Sequence, residues 1–442
     1  MRYFMFDALA KTHGMAKTLG LFIALLICLF ATTGYAAFEM TPGVDLSLEY
    51  DDNIFLDPDN EEDDVITTVT PNISMAWETS RLDVSLFASV SMEKYMDNTD
   101  EDRVGAGESE QASSLEALAR LYRELFFLKV SDSYSRVPVD EGGRGGESNR
   151  TVNLTDSNTF RVNPYLQFEL MKETQMQLGY TYTNQWYGNQ SNDEDEGGDD
   201  YESHLYSASL TKELSSRTTM TLSGSHEEYR PKDADQGIAV DSGGTYEYDK
   251  ESASLGLSYQ ATERLKLQGN YGHAWLDYEV RGKGDTDTWL ASADYDITSS
   301  YTIGTKYTKS IDISVDDGVS KSDRYSAYLG YDDRFTLNFT LFGASSDYVE
   351  INRTDDSYGG QLSGELPFNN KVGVTGLLRY TNFDRTGLDA EEYDRYSTKL
   401  SLYYETRLGR ISTGYIYNRN DSDLNSEDYT SNIVFMNASL RF

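Results

Sequence analysis

The sequence predicts an all-β protein, a transmembrane antiparallel up-and-down β-barrel of about 20 strands, within two either way. Three observations lead there. From Val65 onward apolar and polar residues alternate one by one, the period of a strand with two unlike faces. Short turns and long polar loops also alternate, at roughly 40 residues per repeat. The chain holds 34 Tyr but only 7 Pro; it is polar on average yet rich in aromatics, which argues against disorder.

Taken in order, residues 1–36 read as a secretory signal peptide and residues 37–442 as the barrel. Arg2, Lys11 and Lys17 precede the apolar run "LGLFIALLICLF", Leu19 to Phe30. That run is too short for a bilayer, which needs roughly 20 residues. Gly34 and Ala36 suit a cleavage site, and Met15 is a second candidate start. An uncleaved anchor helix is the alternative. Cys28 is the only cysteine, inside the apolar run; Ile27 before it argues against lipidation. No disulfide framework or Cys-based metal site is expected downstream.

Period-two strands fill the rest. In "FRVNPYLQFEL", Phe160, Val162, Pro164, Leu166, Phe168 and Leu170 share one face, while Arg161, Asn163, Tyr165, Gln167 and Glu169 share the other. After "KET" comes "QMQLGYTYTNQWY", alternating in the same way. Six similar units and a last strand, Tyr429 to Phe442, follow. "SSLEALARLYRELFFLKV", Ser113 to Val130, carries both helical and alternating spacing. It is read as a hairpin turning at Arg123-Glu124, with a helix inside the barrel as the alternative. A period near 40 also suits a soluble propeller, but two strands of ten or more residues per repeat favour a membrane barrel.

A sheet this wide with one apolar face needs something to cover it, and no second apolar layer exists. The apolar faces are therefore expected to meet lipid and the polar faces an interior too wide for side chains to fill. Tyr180, Trp186, Tyr271, Trp289, Tyr295, Tyr325, Tyr396, Tyr404 and Tyr415 would form interfacial girdles. Leu440 and the terminal Phe442 resemble the C-terminal signal read by the outer-membrane barrel-assembly machinery. Short turns are expected at the periplasm and long loops outside, in a bacterial outer membrane.

The formal net charge is −36, which excludes nucleic acid as a partner. Most of it falls in loops such as "DPDNEEDD" and "DEDEGGDD". Solubility and mutual repulsion explain this; divalent cations bridging carboxylates to lipopolysaccharide are the sharper alternative. The expected lumen wall is mixed in sign. Arg120, Arg161, Lys266, Lys306, Arg379 and Lys399 face Glu116, Glu169, Asp294, Asp296, Glu365 and Glu405. Tyr122, Tyr165, Tyr229, Tyr278, Phe342, Tyr403 and Phe435 also point inward, either as a slide for sugar rings or as isolated aromatics. His204, His226 and His273 lie in no dyad pattern, so no enzyme, cofactor or metal site is expected. Nor is a plugged siderophore transporter, since no N-terminal globular plug is read.

"GVDLSLEYDDNIFLDPDNEEDDVITTVTPNISM", Gly43 to Met75, resembles the start of a family of bacterial outer-membrane β-barrels encoded in exopolysaccharide biosynthesis loci. Tyr50, Asp51, Asp52, Asn53, Ile54 and Phe55 carry the motif. The resemblance implies a barrel that lets secreted polysaccharide cross the outer membrane, with a periplasmic export protein as partner. For the motif itself, capping of the first strand is expected. The alternative function is a structural or partner-binding surface barrel with acidic extracellular loops and no open pore.

Overall fold

The computed structural model describes residues 37–104, 110–122, 125–140, 143, 145, 148–188, 200–232, 247–278, 282–313, 319–348, 351–387, 390–424 and 426–442. The expected signal peptide and the acidic run 189–199 lie outside them.

Twenty strands form one closed antiparallel sheet. They are β1 (Ala37–Asp51), β2 (Asp64–Glu78), β3 (Leu82–Tyr95), β4 (Glu110–Leu121), β5 (Phe126–Pro138), β6 (Leu154–Met171), β7 (Thr174–Tyr187), β8 (Tyr201–Ser215), β9 (Thr218–Pro231) and β10 (Tyr248–Gln260). The second half comprises β11 (Leu265–Tyr278), β12 (Gly282–Asp296), β13 (Tyr301–Ile313), β14 (Val319–Asp332), β15 (Thr336–Tyr348), β16 (Arg353–Pro367), β17 (Val372–Thr386), β18 (Glu391–Glu405), β19 (Gly409–Ser422) and β20 (Tyr429–Arg441). One 3₁₀ turn, Thr99–Glu101, interrupts the β3–β4 connection. Each strand pairs with its sequence neighbours, and β1 pairs with β20 from Gly43↔Arg441 to Asp51↔Ile433, closing the sheet. Closure satisfies every strand's ladder, the one way a sheet survives in hydrocarbon. Ser113 to Val130 pairs as a hairpin, as expected; the expected turn residues Arg123 and Glu124 lie outside the described residues. The strands reach into polar stretches: the polar runs Gly282–Asp287 and Arg353–Asp356 already belong to β12 and β16.

Residues directly opposite across a ladder share a face, so the registers assign every side chain. Leu46 and Leu48, Leu255 and Leu257, Leu400 and Leu402, Val434 and Met436 are all exposed. Next to them along the strands Ser47, Ser254, Ser401 and Asn437 take the opposite, inner face. The outer tyrosines have their hydroxyls satisfied on the neighbouring strand. Tyr271 donates to Asp287 at 3.0 Å, Tyr307 to Asp323 at 2.5 Å and Tyr380 to Asp394 at 2.7 Å. An apolar ring below and a bonded polar tip above is the arrangement an interfacial girdle requires.

The short turns share one chemical device. Thr79, Thr262, Thr298, Asn369 and Thr406 each use a side-chain oxygen to accept backbone N–H groups two and three residues on. This local bond lets so few residues reverse the chain. Gly409, at φ +152°, completes the β18–β19 turn where a side chain would be strained. Tyr122 occupies the β4–β5 turn at φ 46° and is exposed. It does not point inward as the alternation suggested, because a turn breaks the period.

The interior departs from expectation more broadly. It is not left open along its whole length. Tyr229, Tyr248, Leu276 and Val319 cluster at the loop-side end, as do Ile54, Ile66 and Tyr95, while Ile416, Ile433 and Phe435 pack together lower down.

Candidate functional site

The inner wall carries the residues that the sequence singles out. Arg120 stands opposite Phe127, which stands opposite Tyr165, and the two rings stack at 4.8 Å. Arg120 pairs with Asp83 rather than with Glu116. Lys266 is in register with Asp294, but Asp294 accepts the Tyr328 hydroxyl at 2.7 Å and makes no ion pair with the lysine. Glu365, Glu405 and Tyr403 are brought together by Arg410, which sequence reasoning missed. Its guanidinium reaches Glu365 at 3.2 Å and Glu405 at 2.5 Å and lies 4.0 Å over the Tyr403 ring. Among the described residues no ion-pair partner lies on Arg161, Glu169, Lys306, Arg379 or Lys399.

In the connection from β5 to β6 the described residues, 139–140, 143, 145 and 148–153, lie against the inner wall at the loop-side mouth. Asn153 shapes its base: Asp140 N donates to Asn153 Oδ1 at 2.9 Å and Asn153 Nδ2 donates to Asp140 O at 2.6 Å. Asn153 takes φ 52°, a conformation asparagine tolerates. From this base the segment reaches strands on the far side of the seam. Arg385 of β17 grips Asp140 at 2.7 and 3.0 Å, Arg395 of β18 donates to Gly143 O at 2.9 Å, and Tyr429 of β20 donates to Gly145 O.

Arg150 is the centre of this arrangement. It bonds Glu49 of β1 at 2.9 Å and Glu93 of β3. Arg103 caps the group, donating to Arg150 O at 3.1 Å and lying 3.6 Å from Glu93. Both glutamates are buried, Glu93 completely. Burial opposes the Arg150 charge, but Glu49 and Glu93 more than offset it and raise the guanidinium above its ordinary range. A second buried group supports Arg385: Arg353 and Arg385 share Asp355, at 3.0 and 3.4 Å. Beneath Arg150 a cavity of about 460 Å³ opens between β1–β3 and β19–β20, lined by Asp45, Ser47, Glu49, Thr70, Ser412 and Asn437 among others. The sequence does carry a trace of this loop. "EGGRGGESNR" is glycine-rich and holds two arginines, unlike the acidic loops around it.

The motif Tyr50 to Phe55 does more than cap β1. Asp52 accepts Asn432 N at 2.7 Å and Asn432 Nδ2 at 2.8 Å, while Asp51 accepts Ser431 Oγ at 2.9 Å. All three bonds cross the closure between β1 and β20. Asn53 is fully buried; its amide donates to Asp57 O at 2.8 Å and Thr430 O at 3.1 Å. Ile54 and Phe55 pack with Ile66 and Tyr95, and Thr151 of the inward loop donates to Ile54 O. Tyr50 faces outward and donates to Asp63 at 3.2 Å. At the turn side Leu440 pairs with Val44, and Phe442 N donates to Pro42 O at 2.9 Å.

No known family profile and no curated protein matches the sequence. Solved structures do resemble the fold. A mutant of the ferric enterobactin receptor PfeA from Pseudomonas aeruginosa aligns at TM-score 0.50 and 10% identity, covering 93% of this chain and 81% of that one. The siderophore receptor PirA from Acinetobacter baumannii aligns at TM-score 0.50 and 9% identity, with 93% and 81% covered. Identity this low speaks for fold alone. That fold, a closed sheet with an apolar outer face, is the fold of an outer-membrane β-barrel.

Proposed function

We propose that the chain is a passive outer-membrane pore for saccharides, narrowed at its loop-side mouth by residues 139–153. The observation that carries this reading is the inner wall below that loop. Between the turns and the mouth it presents hydroxyls, amides and a few charges, such as Ser254, Ser326, Gln361, Ser401 and Asn437, and it borders the cavity under Arg150. A wide polar-lined barrel holds water and passes hydrophilic solutes. The finer reading, export of a secreted exopolysaccharide together with a periplasmic export protein, rests on the resemblance over Gly43 to Met75. Lipid and lipopolysaccharide around the wall, and the barrel-assembly machinery during biogenesis, complete the expected partners. Planar-bilayer conductance of the purified barrel tests the reading: stable openings reduced by added oligosaccharide support it.

A second reading has its own observation. The loop-side interior is packed with Ile54, Ile66, Tyr95 and the Arg150 group, as a sealed surface barrel would be. Absence of conductance both in the wild type and in a variant with the loop released would favour that reading.

A further inference from the structure

Along β13–β18 the inner-face charges are sorted by height. Carboxylates stand only at the ends: Asp332, Glu365 and Glu405 near the turns, Asp312, Asp355 and Glu391 near the mouth. The middle of the same arc holds Lys306, Arg324, Arg379 and Lys399 among Ser326, Thr340, Gln361 and Ser363. Arg324 is tied to Asp312 at 3.0 Å. Lys306, Arg379 and Lys399 have no carboxylate within ion-pair distance among the described residues. The mid-height acids of the barrel's first strands, Asp45 and Glu116, lie on β1 and β4, away from this arc, and Asp45 is already held by Arg441 at 3.1 Å.

Two of the three free cations are fixed by the same construction. The Phe342 ring lies over Gly359, where an added Cβ would come within 2.8 Å of Cζ, and Arg379 lies 5.5 Å over that ring. Phe435 lies over Gly414 in the same way, 2.7 Å from an added Cβ, and Lys399 lies 5.5 Å over it. Glycine leaves room for the tip of the ring, and the cation lies over the ring. Stacking holds the stem against the wall without neutralising the charge.

We infer that this mid-lumen arc binds acidic saccharides, sugars bearing carboxylates, rather than neutral ones. Free, ring-supported cations spaced among hydroxyl and amide groups suit a polyol that carries periodic negative charge. Arginine adds a planar fork that matches a carboxylate. The inference deepens the pore reading by naming its substrate class, but binding at the arc does not depend on conduction.

The test uses the full-length barrel in detergent and in planar bilayers. The probes are hexagalacturonate and, as neutral comparison, maltohexaose. Binding is measured by calorimetry, and anion preference by reversal potential in a KCl gradient. The variant is K306Q/R379Q/K399Q, with K371Q in the β16–β17 turn as control and heat-modifiable gel mobility as the check of folding. The wild type and K371Q should bind hexagalacturonate, and the triple variant should bind it about a hundredfold more weakly, about fivefold for each charge. Maltohexaose should bind weakly to all, and the anion preference of the current should vanish in the triple variant. Equal affinity for the two sugars, or hexagalacturonate binding untouched by the triple substitution, overturns the inference. Binding without current leaves it standing and removes the pore reading; current without acidic-sugar binding does the reverse; neither removes both.

Discussion

Replacing Arg150 by alanine should release the loop 139–153 from the barrel mouth. The substitution leaves Glu49 and Glu93 facing each other, 6% and 0% exposed, without their shared cation. Removing one partner of a buried ion pair costs about 3–5 kcal/mol. The Arg150 side chain is 21% exposed, so the lower end applies, about 3 kcal/mol. That shifts the docked-to-released ratio of the loop by roughly 150-fold at 25 °C. The bonds from Arg385, Arg395, Tyr429 and Thr151 remain, so the loop should sample both positions rather than leave permanently. Single-channel recording should therefore find a higher mean conductance and frequent transitions between two levels. Combining Arg150→Ala with Glu49→Gln should suppress the transitions, because Glu93 keeps Arg103 and no unpaired buried carboxylate then drives release. A folded Arg150→Ala barrel with the wild-type conductance and noise would refute the reasoning.

Three other outcomes follow from the same geometry. Leu257→Arg, on the outer face of β10, should destabilise the barrel in lipid vesicles by about 2–4 kcal/mol in urea unfolding, whereas Ser258→Arg on the inner face should cost little. Asn53→Ala removes the amide that binds Asp57 and Thr430 at the closure and should lower stability by about 2–3 kcal/mol in the same assay. Gly414→Val should press on the Leu400 carbonyl of β18 and on the Phe435 ring, costing about 1–3 kcal/mol and weakening the support under Lys399.

The fold was legible because a barrel strand declares itself locally. Alternation in Phe160 to Leu170 assigns both faces without knowledge of any neighbour, and the Thr- and Asn-led turns are short enough to mark strand ends. Where a turn breaks the period, as at Tyr122, the same argument misassigns the side chain. The mouth was not legible, because it depends on contacts between residues far apart in sequence. Arg150 meets Glu49 and Glu93 only after β1, β2 and β3 pair and the loop turns inward. The motif Tyr50 to Phe55 could be quoted from the sequence, but its role at the closure needs Ser431 and Asn432, which come together with it only when the ring is complete. The lumen charges were legible as a mixture and not as tiers, since alternation gives the face of a residue but not which charges share its height. Arg410 was missed for that reason, although it joins Glu365 to Glu405 across two strands.

The central claim is that the apolar stripes touch hydrocarbon while the alternate residues line a wet interior. Spin labels placed singly along β10, in a background with Cys28 replaced, test it most directly. Labels at Leu255, Leu257 and Tyr259 should collide with dissolved oxygen in the bilayer, and labels at Ser254, Gly256 and Ser258 with a water-soluble nickel chelate. Accessibility that fails to alternate, or alternates in the opposite phase, would contradict the account.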